Sequence, residues 1–531
     1  MINIVDLLKQ GRKDLIWEKY CGYLDLNIED FMKIQRSLLM EQINLLKDCE
    51  LGQKFLGKRP PKNIDEFRRK VPLTTYEDYI PYLLDKREET LPKGKYIWAR
   101  TSGRSGKYKC KWIPYTRRIY DKLGEVVIGA MILSSCSYKG EVLLEPGDVV
   151  LLATAPRPYT SGYISYATRD EMDVTFVPSL DAGEKMEFGE RVKEGFGQAM
   201  EKGLDFFFGL AIILGKMGEQ FEQGAVNFKP SPKMLCPNTI IRLLKGFIRA
   251  KINKRKLLPS DVWNLKGVMT GGMDTDIYRK RVEHYWGKKP LEGYACTEGG
   301  MVAMQAWNNK GMTLFPDCNL YEFIPFEEHL KAKQDPDYQP KTLLLDEVEP
   351  GIYEMVFTNF LGGVMMRYRV GDLVEVIAKR DDEIGVNIPQ ISFYSRADDL
   401  IDIGTLARFT ETTIWQAIDA SGVKYVDWTA RKEEENGGVV LHLYLELKKN
   451  EKRTLKKITF RIRKGLHKVC PEFADMESLL GNNNLKVTLL PANAFNSYIE
   501  IQHQAGADLA HIKPPHMQSK DEVIKCLLEE K

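Results

Sequence analysis

Thr101-Ser-Gly-Arg-Ser-Gly-Lys-Tyr-Lys109 packs two glycines, three Ser/Thr hydroxyls and two lysines into nine residues. The apolar pair Ile97-Trp98 precedes it, and Trp112-Ile113-Pro114 leads from it into a long helical pattern. Glycines let backbone N–H groups approach an anion closely, and hydroxyls and ammonium groups add donors and charge. That composition suits a polyphosphate, although the glycine spacing before Lys-Ser/Thr of a Walker A loop is absent. An exposed basic turn has the same composition, so the rest of the chain decides between the two.

The 531 residues suggest about three or four domain-sized units, some of which one large α/β domain can absorb. With 43% hydrophobic and 28% charged residues the composition is that of a globular protein. A net charge of +3 is too small to argue for nucleic acid, and no aromatic-basic RNA-reading module occurs. The nine cysteines are scattered without a CxxC pair, which supports neither a disulfide framework nor a zinc site and fits a reducing, cytoplasmic setting. The N-terminus lacks the basic region of a signal peptide. The most apolar run, Leu204–Leu214, is shorter than the ~20 residues a membrane span needs, so no span is expected.

Helices dominate up to about residue 90. Phe31–Leu46 carries apolar residues near the helical period, with Asp30 placed to cap it, and Thr74-Thr75-Tyr76-Glu77 has the form of a capping box. Arg118–Ser134 reads as a helix containing Gly124 and Gly129. From about Gly147, strand patterns at Asp148–Ala153, Asp173–Val177, Leu204–Phe208 and Leu265–Thr270 alternate with helices at Glu184–Lys202 and Leu210–Gln223. That predicts a sheet with parallel parts covered on both faces. Beyond Pro290, strands at Leu320–Ile324, Ile352–Thr358, Val364–Tyr368, Leu373–Ile377 and Ile391–Tyr394 crowd into a mostly antiparallel, barrel-like pattern. After Ala397–Leu400 comes a compact α+β unit, with strands near Lys424–Thr429, Val439–Leu447 and Leu485–Leu489 and a basic helix near Arg453–Lys468. Leu441, Leu443, Leu445 and Leu447 alternate with His442, Tyr444 and Glu446, which predicts one buried and one wet face. The run Lys245–Lys256 holds six Lys/Arg around Phe247, Ile248 and Ile252, and reads as a solvated helix face more readily than as a dock for an anionic membrane or partner.

Three more stretches carry chemistry. Gly293-Tyr-Ala-Cys-Thr-Glu298 offers an aromatic ring for a base, a hydroxyl for a phosphate and a carboxylate for Mg2+, which prefers carboxylate and phosphate oxygens. In Tyr368-Arg-Val-Gly-Asp372 an acid follows a glycine turn, as a ribose diol requires, and Arg396-Ala-Asp-Asp399 lies at the domain border. Each is commonly structural when it occurs alone. The order and spacing of all four are not, and together they resemble the core motifs of the adenylate-forming superfamily of acyl-CoA synthetases, peptide-synthetase adenylation domains and luciferases. Within it the chain is most similar to the auxin-responsive acyl-acid amido synthetases, as a member of bacterial type. Phe67–Tyr82 resembles that family's lead-in, Val268-Met-Thr-Gly-Gly272 its adenine-binding region, and Gly506–Pro515 its C-terminal lysine motif.

The resemblance implies an α/β fold. It has a large N-terminal domain (1–397) of mixed sheets covered by helices with a barrel-like β subdomain, and a small mobile C-terminal α+β domain (398–531). It implies activation of a small carboxylic acid by ATP and Mg2+, then transfer of the acyl group to an amino acid or other amine. A thioester-forming acyl-CoA ligase and a non-catalytic nucleotide-binding relative are the alternatives. Carried over residue by residue, Thr101, Ser102, Gly103, Ser105, Gly106 and Lys109 cradle phosphates, while Gly271, Gly272, Tyr294, Ala295 and Cys296 surround the nucleotide. Thr297 binds the α-phosphate, Glu298 ligates Mg2+, Asp372 holds the ribose and Arg396 assists. Asp398 and Asp399 form the hinge, and Lys513 approaches the adenylate. Arg104 departs from the family's usual threonine; its guanidinium suits bidentate phosphate binding, or marks an altered ATP site. Cys296 stands where a small residue is common and reads as packed rather than reactive. Phe206, Phe207, Phe208 and Tyr159 are candidates for an acid pocket, with core packing the stronger expectation.

Overall fold

The computed structural model describes residues 4–101, 110–223, 237–271, 275–335, 337–403, 407–435, 438–480, 484–504, 512 and 514–529. Contacts divide the chain into a larger unit, Met1–Val370 with Val374–Phe393, and a smaller one, Gly371–Leu373 with Tyr394–Lys531.

The first long helix runs over Ile28–Leu46, three residues longer at its start than the sequence suggests. Its cap is Asn27, whose side chain accepts from the Asp30 N–H at 2.8 Å, so Asp30 sits in the first turn, where its charge favours the positive helix end. The capping box also lies one residue further on than expected, with the Thr75 N–H donating to Asp78 Oδ2 at 2.9 Å. Helix Arg117–Ser135 keeps both of its glycines because neighbours press against them. A Cβ on Gly124 would stand 2.5 Å from the Ala167 carbonyl oxygen, and one on Gly129 would stand 2.7 Å from that of Tyr20.

One sheet of twelve strands organises the larger unit. Its parallel part runs, in spatial order, Leu291–Cys296, Gly267–Gly271, Phe206–Gly209, Val149–Ala153 and Thr175–Val177. Phe206 packs into the core cluster on one face and Phe207 into that on the other, both without exposed surface, so core filling explains these two rings. On the other side the sheet continues antiparallel through Gly300–Gln305 and Met312–Leu314 to Gln390–Arg396. In spatial order Tyr368–Ala378 and Gly351–Asn359 follow, and Asn319–Pro325 pairs antiparallel with Gly351–Asn359 on one side and Leu343–Leu344 on the other.

In place of the two strands expected at Val364–Tyr368 and Leu373–Ile377 there is one, Tyr368–Ala378, and Val364–Arg367 lies before it outside any strand. Gly371 adopts φ +78°, which only glycine takes without strain, so the chain kinks there within the strand instead of turning back.

In the smaller unit, Tyr425–Glu435 pairs antiparallel with Gly438–Leu447, which pairs parallel with Leu485–Leu489. Leu441, Leu443 and Leu445 face the core as expected, but His442, Tyr444 and Glu446 are buried as well. The second face is covered because Tyr444 packs with Leu490, Phe495, Ile524 and Leu527 from later segments, and His442 is hydrogen-bonded to Glu433 and Thr488. A period of two reports which residues share a face; it does not report what later covers that face.

His516 pins the segment after the expected C-terminal lysine. Its ring stacks on Trp428 with centroids 4.6 Å apart, Nδ1 meets Glu411 Oε1, and Nε2 meets Asp427 Oδ1 at 2.8 Å. Burial alone would lower the pKa of this imidazole; Asp427 and Glu411 outweigh it and raise the pKa to about 10. A base whose pKa rises on folding stabilises fully below its unfolded value of about 6.5, and that contribution disappears as pH climbs through the folded value. The wild-type chain is therefore expected to lose stability between pH 6.5 and 10 more steeply than a His516→Gln variant, as read from urea midpoints. Equal slopes would contradict this ion-pair role.

Candidate active site

Strands Ile97–Arg100 and Trp112–Tyr115 pair antiparallel. Beyond them the Thr101 N–H donates to the Lys111 carbonyl at 3.0 Å, and the Lys111 N–H donates to Thr101 Oγ1 at 3.0 Å. Ser102, Gly103, Arg104, Ser105, Gly106 and Lys109 lie outside the described residues, as do Gly272 and Lys513. Among the described residues, the cation paired with the Glu298 carboxylate is Lys111. Its Nζ donates to Glu298 Oε1 at 2.9 Å and to the Tyr368 hydroxyl at 3.1 Å, and that hydroxyl is 3.2 Å from the same carboxylate oxygen. The ammonium also lies 5.3 Å from the Tyr76 ring centre and 5.8 Å from that of Tyr368. Burial, reinforced by the Glu298 charge, pushes the Tyr368 phenol well above its ordinary pKa, so it stays a hydrogen-bond donor.

Glu298 is only 7% exposed and sits in the turn between Leu291–Cys296 and Gly300–Gln305. Three successive carbonyls of this turn are pinned. Thr297 O accepts from the Tyr115 hydroxyl at 2.6 Å, Glu298 O from Asn359 Nδ2 at 3.0 Å, and Gly299 O from Asn319 Nδ2 at 2.9 Å. Asn359 also donates to Asn319 Oδ1 at 2.9 Å, which joins the two amides. Gly300 takes φ +65° to close the turn. The half-buried Cys296 accepts the Gly299 N–H on Sγ at 3.2 Å. Buried side chains thus fix the backbone that carries Thr297 and Glu298.

Beside the turn lies a cavity of about 30 Å³, lined among others by Tyr115, Ile119, Leu123, Met301 and Phe360. Lys122 reaches its wall, with Nζ 2.6 Å from Asp317 and 3.2 Å from Glu125.

Gly271 ends its parallel strand opposite Gly293. Ligands of parallel sheets gather at such carboxyl ends. Ala295 is exposed on the last strand, while Tyr294 is buried with its ring centre 5.9 Å from that of Phe393. Phe208 is half-buried, and the buried Tyr159 ring receives the Arg100 guanidinium at 4.6 Å.

In the smaller unit Asp372 is buried and paired with Arg396, Nε to Oδ1, at 3.7 Å. The Ala397 N–H donates to Gly371 O at 2.9 Å, and the Asp399 N–H to Arg396 O at 3.1 Å, so Arg396, Asp398 and Asp399 share one hydrogen-bonded turn.

Tyr368 owes its position to its neighbour. Arg367, itself at φ +44°, makes a bidentate ion pair with the buried Glu322 at 2.8 and 3.0 Å and donates to the carbonyls of Arg68 and Val71 at 2.6 and 2.7 Å. Removing one partner of such a buried pair leaves the other charge uncompensated. Arg367→Ala is expected to cost about 3–5 kcal/mol of stability by denaturant unfolding, and a loss below about 1 kcal/mol would contradict the anchor role.

Sequence reasoning missed Lys111, Tyr115, Asn319 and Asn359, and gave Tyr368 no role of its own. Lys111 lies two positions beyond Lys109, and composition alone does not choose between the two lysines.

The fold built around this turn is similar to that of two solved ligases. The structure superposes on the acyl acid amido synthetase AtGH3.15 in complex with 2,4-DB with a TM-score of 0.66 at 15% identity, over 97% of this chain and 95% of that one. It superposes on 2-hydroxyisobutyryl-CoA ligase in the postadenylation state with a TM-score of 0.58 at 16% identity, over 88% and 86% of the two chains. The profile of the GH3 family N-terminal domain matches residues 23–169, and that of the GH3 family central domain matches 312–396. The chain thus contains GH3-family domains over these two stretches. No curated protein matches it. Among the described residues no helix is long and apolar enough to cross a membrane.

Proposed function

We propose that the protein is a cytoplasmic, ATP-dependent ligase that activates a small carboxylic acid as its acyl-adenylate and passes the acyl group to an amino acid or other amine. The observation that carries this reading is the Lys111 ammonium set on the Glu298 carboxylate, in a turn whose carbonyls are all held.

A carboxylate is a poor electrophile because its oxygen departs badly. Attack by that carboxylate on the α-phosphorus of ATP expels pyrophosphate and converts the oxygen into part of AMP, a good leaving group. In the second step the amine attacks the acyl carbonyl, loses a proton and releases AMP, leaving an amide. Negative charge gathers at the α-phosphate in the first step, and fixed cations and donors in a poorly hydrated site stabilise it most. Lys111 is suited to this task, with Thr297 donating its hydroxyl to the same phosphate.

Glu298 fits a magnesium ion: it is a hard oxygen donor, nearly buried, and its carboxylate already holds a cation. When bound, Mg2+ would neutralise phosphate charge and orient the polyphosphate. Ser102, Gly103, Ser105, Gly106 and Lys109 are assigned the remaining phosphates, Gly271, Gly272, Tyr294, Ala295 and Cys296 the adenine side, and Asp372 with Arg396 the ribose. Lys513 is assigned to the adenylate, and Asp398 with Asp399 to the hinge between the domains 1–397 and 398–531.

Acid-dependent exchange of labelled pyrophosphate into ATP, across a panel of carboxylic acids, tests the first step. Product analysis with amino acids against coenzyme A tests the second, with an amide expected. Exchange with no acid would favour a non-catalytic relative, and thioester as the sole product would replace the amide assignment.

A further inference from the structure

Helix Pro237–Ile252 presents its apolar side to solvent. Its inward face is made by Thr239, Gly246 and Ala250, which are buried, with Leu243 packed against the core of the parallel sheet. Thr239 Oγ1 and Arg242 Nη1 both donate to the Met200 carbonyl, at 3.0 and 2.6 Å, which fixes the helix on that side. Away from it stand Ile240, Ile241, Leu244, Phe247, Ile248 and Ile252, exposed from 42% at Ile240 to 72% at Ile252. Of the fifteen large apolar side chains exposed among the described residues, six belong to this one helix. At 3.6 residues per turn they span an arc of about 140°, which is a continuous stripe and not the scatter of single apolar residues common on protein surfaces.

Charge decides what covers the stripe. From Gln223 to Ser260 the sequence has nine Lys/Arg and no Asp or Glu. Lys245 and Arg249 border the stripe, Lys251 projects within it, and Lys254 and Lys256 are exposed just past its end. Arg242 and Arg255 are engaged inward, the latter by Asp261 at 2.6 Å. A second copy of this face would set cations against cations with no acid to offset them. An anionic lipid surface answers both features, because its headgroups meet the flanking cations while Phe, Leu and Ile enter the headgroup–acyl boundary and the lysine stems reach back to the water.

We propose that helix Pro237–Ile252 docks this protein peripherally on anionic membrane surfaces, lying in the interface plane without crossing it. The chain's small overall charge hides the feature, because acids elsewhere balance a segment that has none of its own.

The test uses the full chain and sedimentation with vesicles of phosphatidylcholine alone or with phosphatidylglycerol. The wild type is expected to sediment with the anionic vesicles at low salt, far less with the neutral ones, and less again as salt screens the cations. Phe247→Ser with Ile248→Ser removes two interfacial anchors and is expected to lower partitioning by tenfold or more, on the order of the burial of two such side chains. Both side chains are more than half exposed, so the thermal midpoint of this variant should hold. Lys245→Glu with Arg249→Glu is a second variant, expected to weaken binding and flatten its salt dependence. Failure of the wild type to bind anionic vesicles overturns the proposal, as does binding that neither variant alters. A concentration-dependent dimer that the Phe247/Ile248 variant dissolves would overturn it in favour of self-association.

Discussion

Replacing Glu298 by glutamine is expected to lower acid-dependent pyrophosphate exchange by about 10²–10³-fold while the protein still unfolds cooperatively. Glutamine keeps the side-chain shape, and its Oε1 still accepts from Lys111 and Tyr368, so the pinned turn survives. The negative charge is lost, and with it the hard anionic donor that a divalent cation selects over a neutral amide. The loss should fall on the adenylation step and be partly offset by raising the magnesium concentration. Unchanged exchange in the Glu298→Gln protein would remove Glu298 from the metal role.

Lys111→Met is expected to reduce the same exchange by about 10²-fold, the scale of removing one charge-stabilising donor from a preorganised site. Methionine retains an apolar stem between the rings of Tyr76 and Tyr368, so packing changes little. The ammonium that faces the carboxylate is gone, which leaves Glu298 buried beside a phenol that does not ionise at neutral pH. The informative comparison is with Lys109→Met. The sequence favours Lys109 as the catalytic lysine, whereas the structure sets Lys111 on Glu298, so the Lys111 variant should lose more activity. A larger loss from Lys109→Met would return the role to Lys109.

The strands that carry the site were readable because burial on both faces writes continuous apolar runs, as at Val149–Ala153 and Phe206–Gly209. The turn at Thr297-Glu298 was readable because a carboxylate, a hydroxyl and two glycines in succession are a poor way to build a core. What pins that turn was not. Asn319 and Asn359 lie 40 positions apart in the sequence, and nothing local shows that their amides meet. Gly371 was read as a turn because glycine followed by aspartate usually is one; the strand continues through it because a positive φ can also be absorbed as a kink. His442, Tyr444 and Glu446 were read as wet because their later cover, from Leu490 to Leu527, is far off in the sequence. The basic run Lys245–Lys256 was read as a solvated helix face, which did not show that the apolar residues from Ile240 to Ile252 would also be left outside. Helical periodicity locates a stripe, and only the packed neighbours show whether the stripe faces inward.

On the proposed function, the turn at Thr297-Glu298, with Lys111 across it, holds the α-phosphate of a nucleotide. A crystal structure of the protein with a non-hydrolysable acyl-adenylate mimic measures this directly. The phosphate is expected in hydrogen-bond contact with the Lys111 ammonium and the Thr297 hydroxyl, with the Lys111–Glu298 ion pair loosened. A mimic bound away from this turn, with that pair intact, would contradict it.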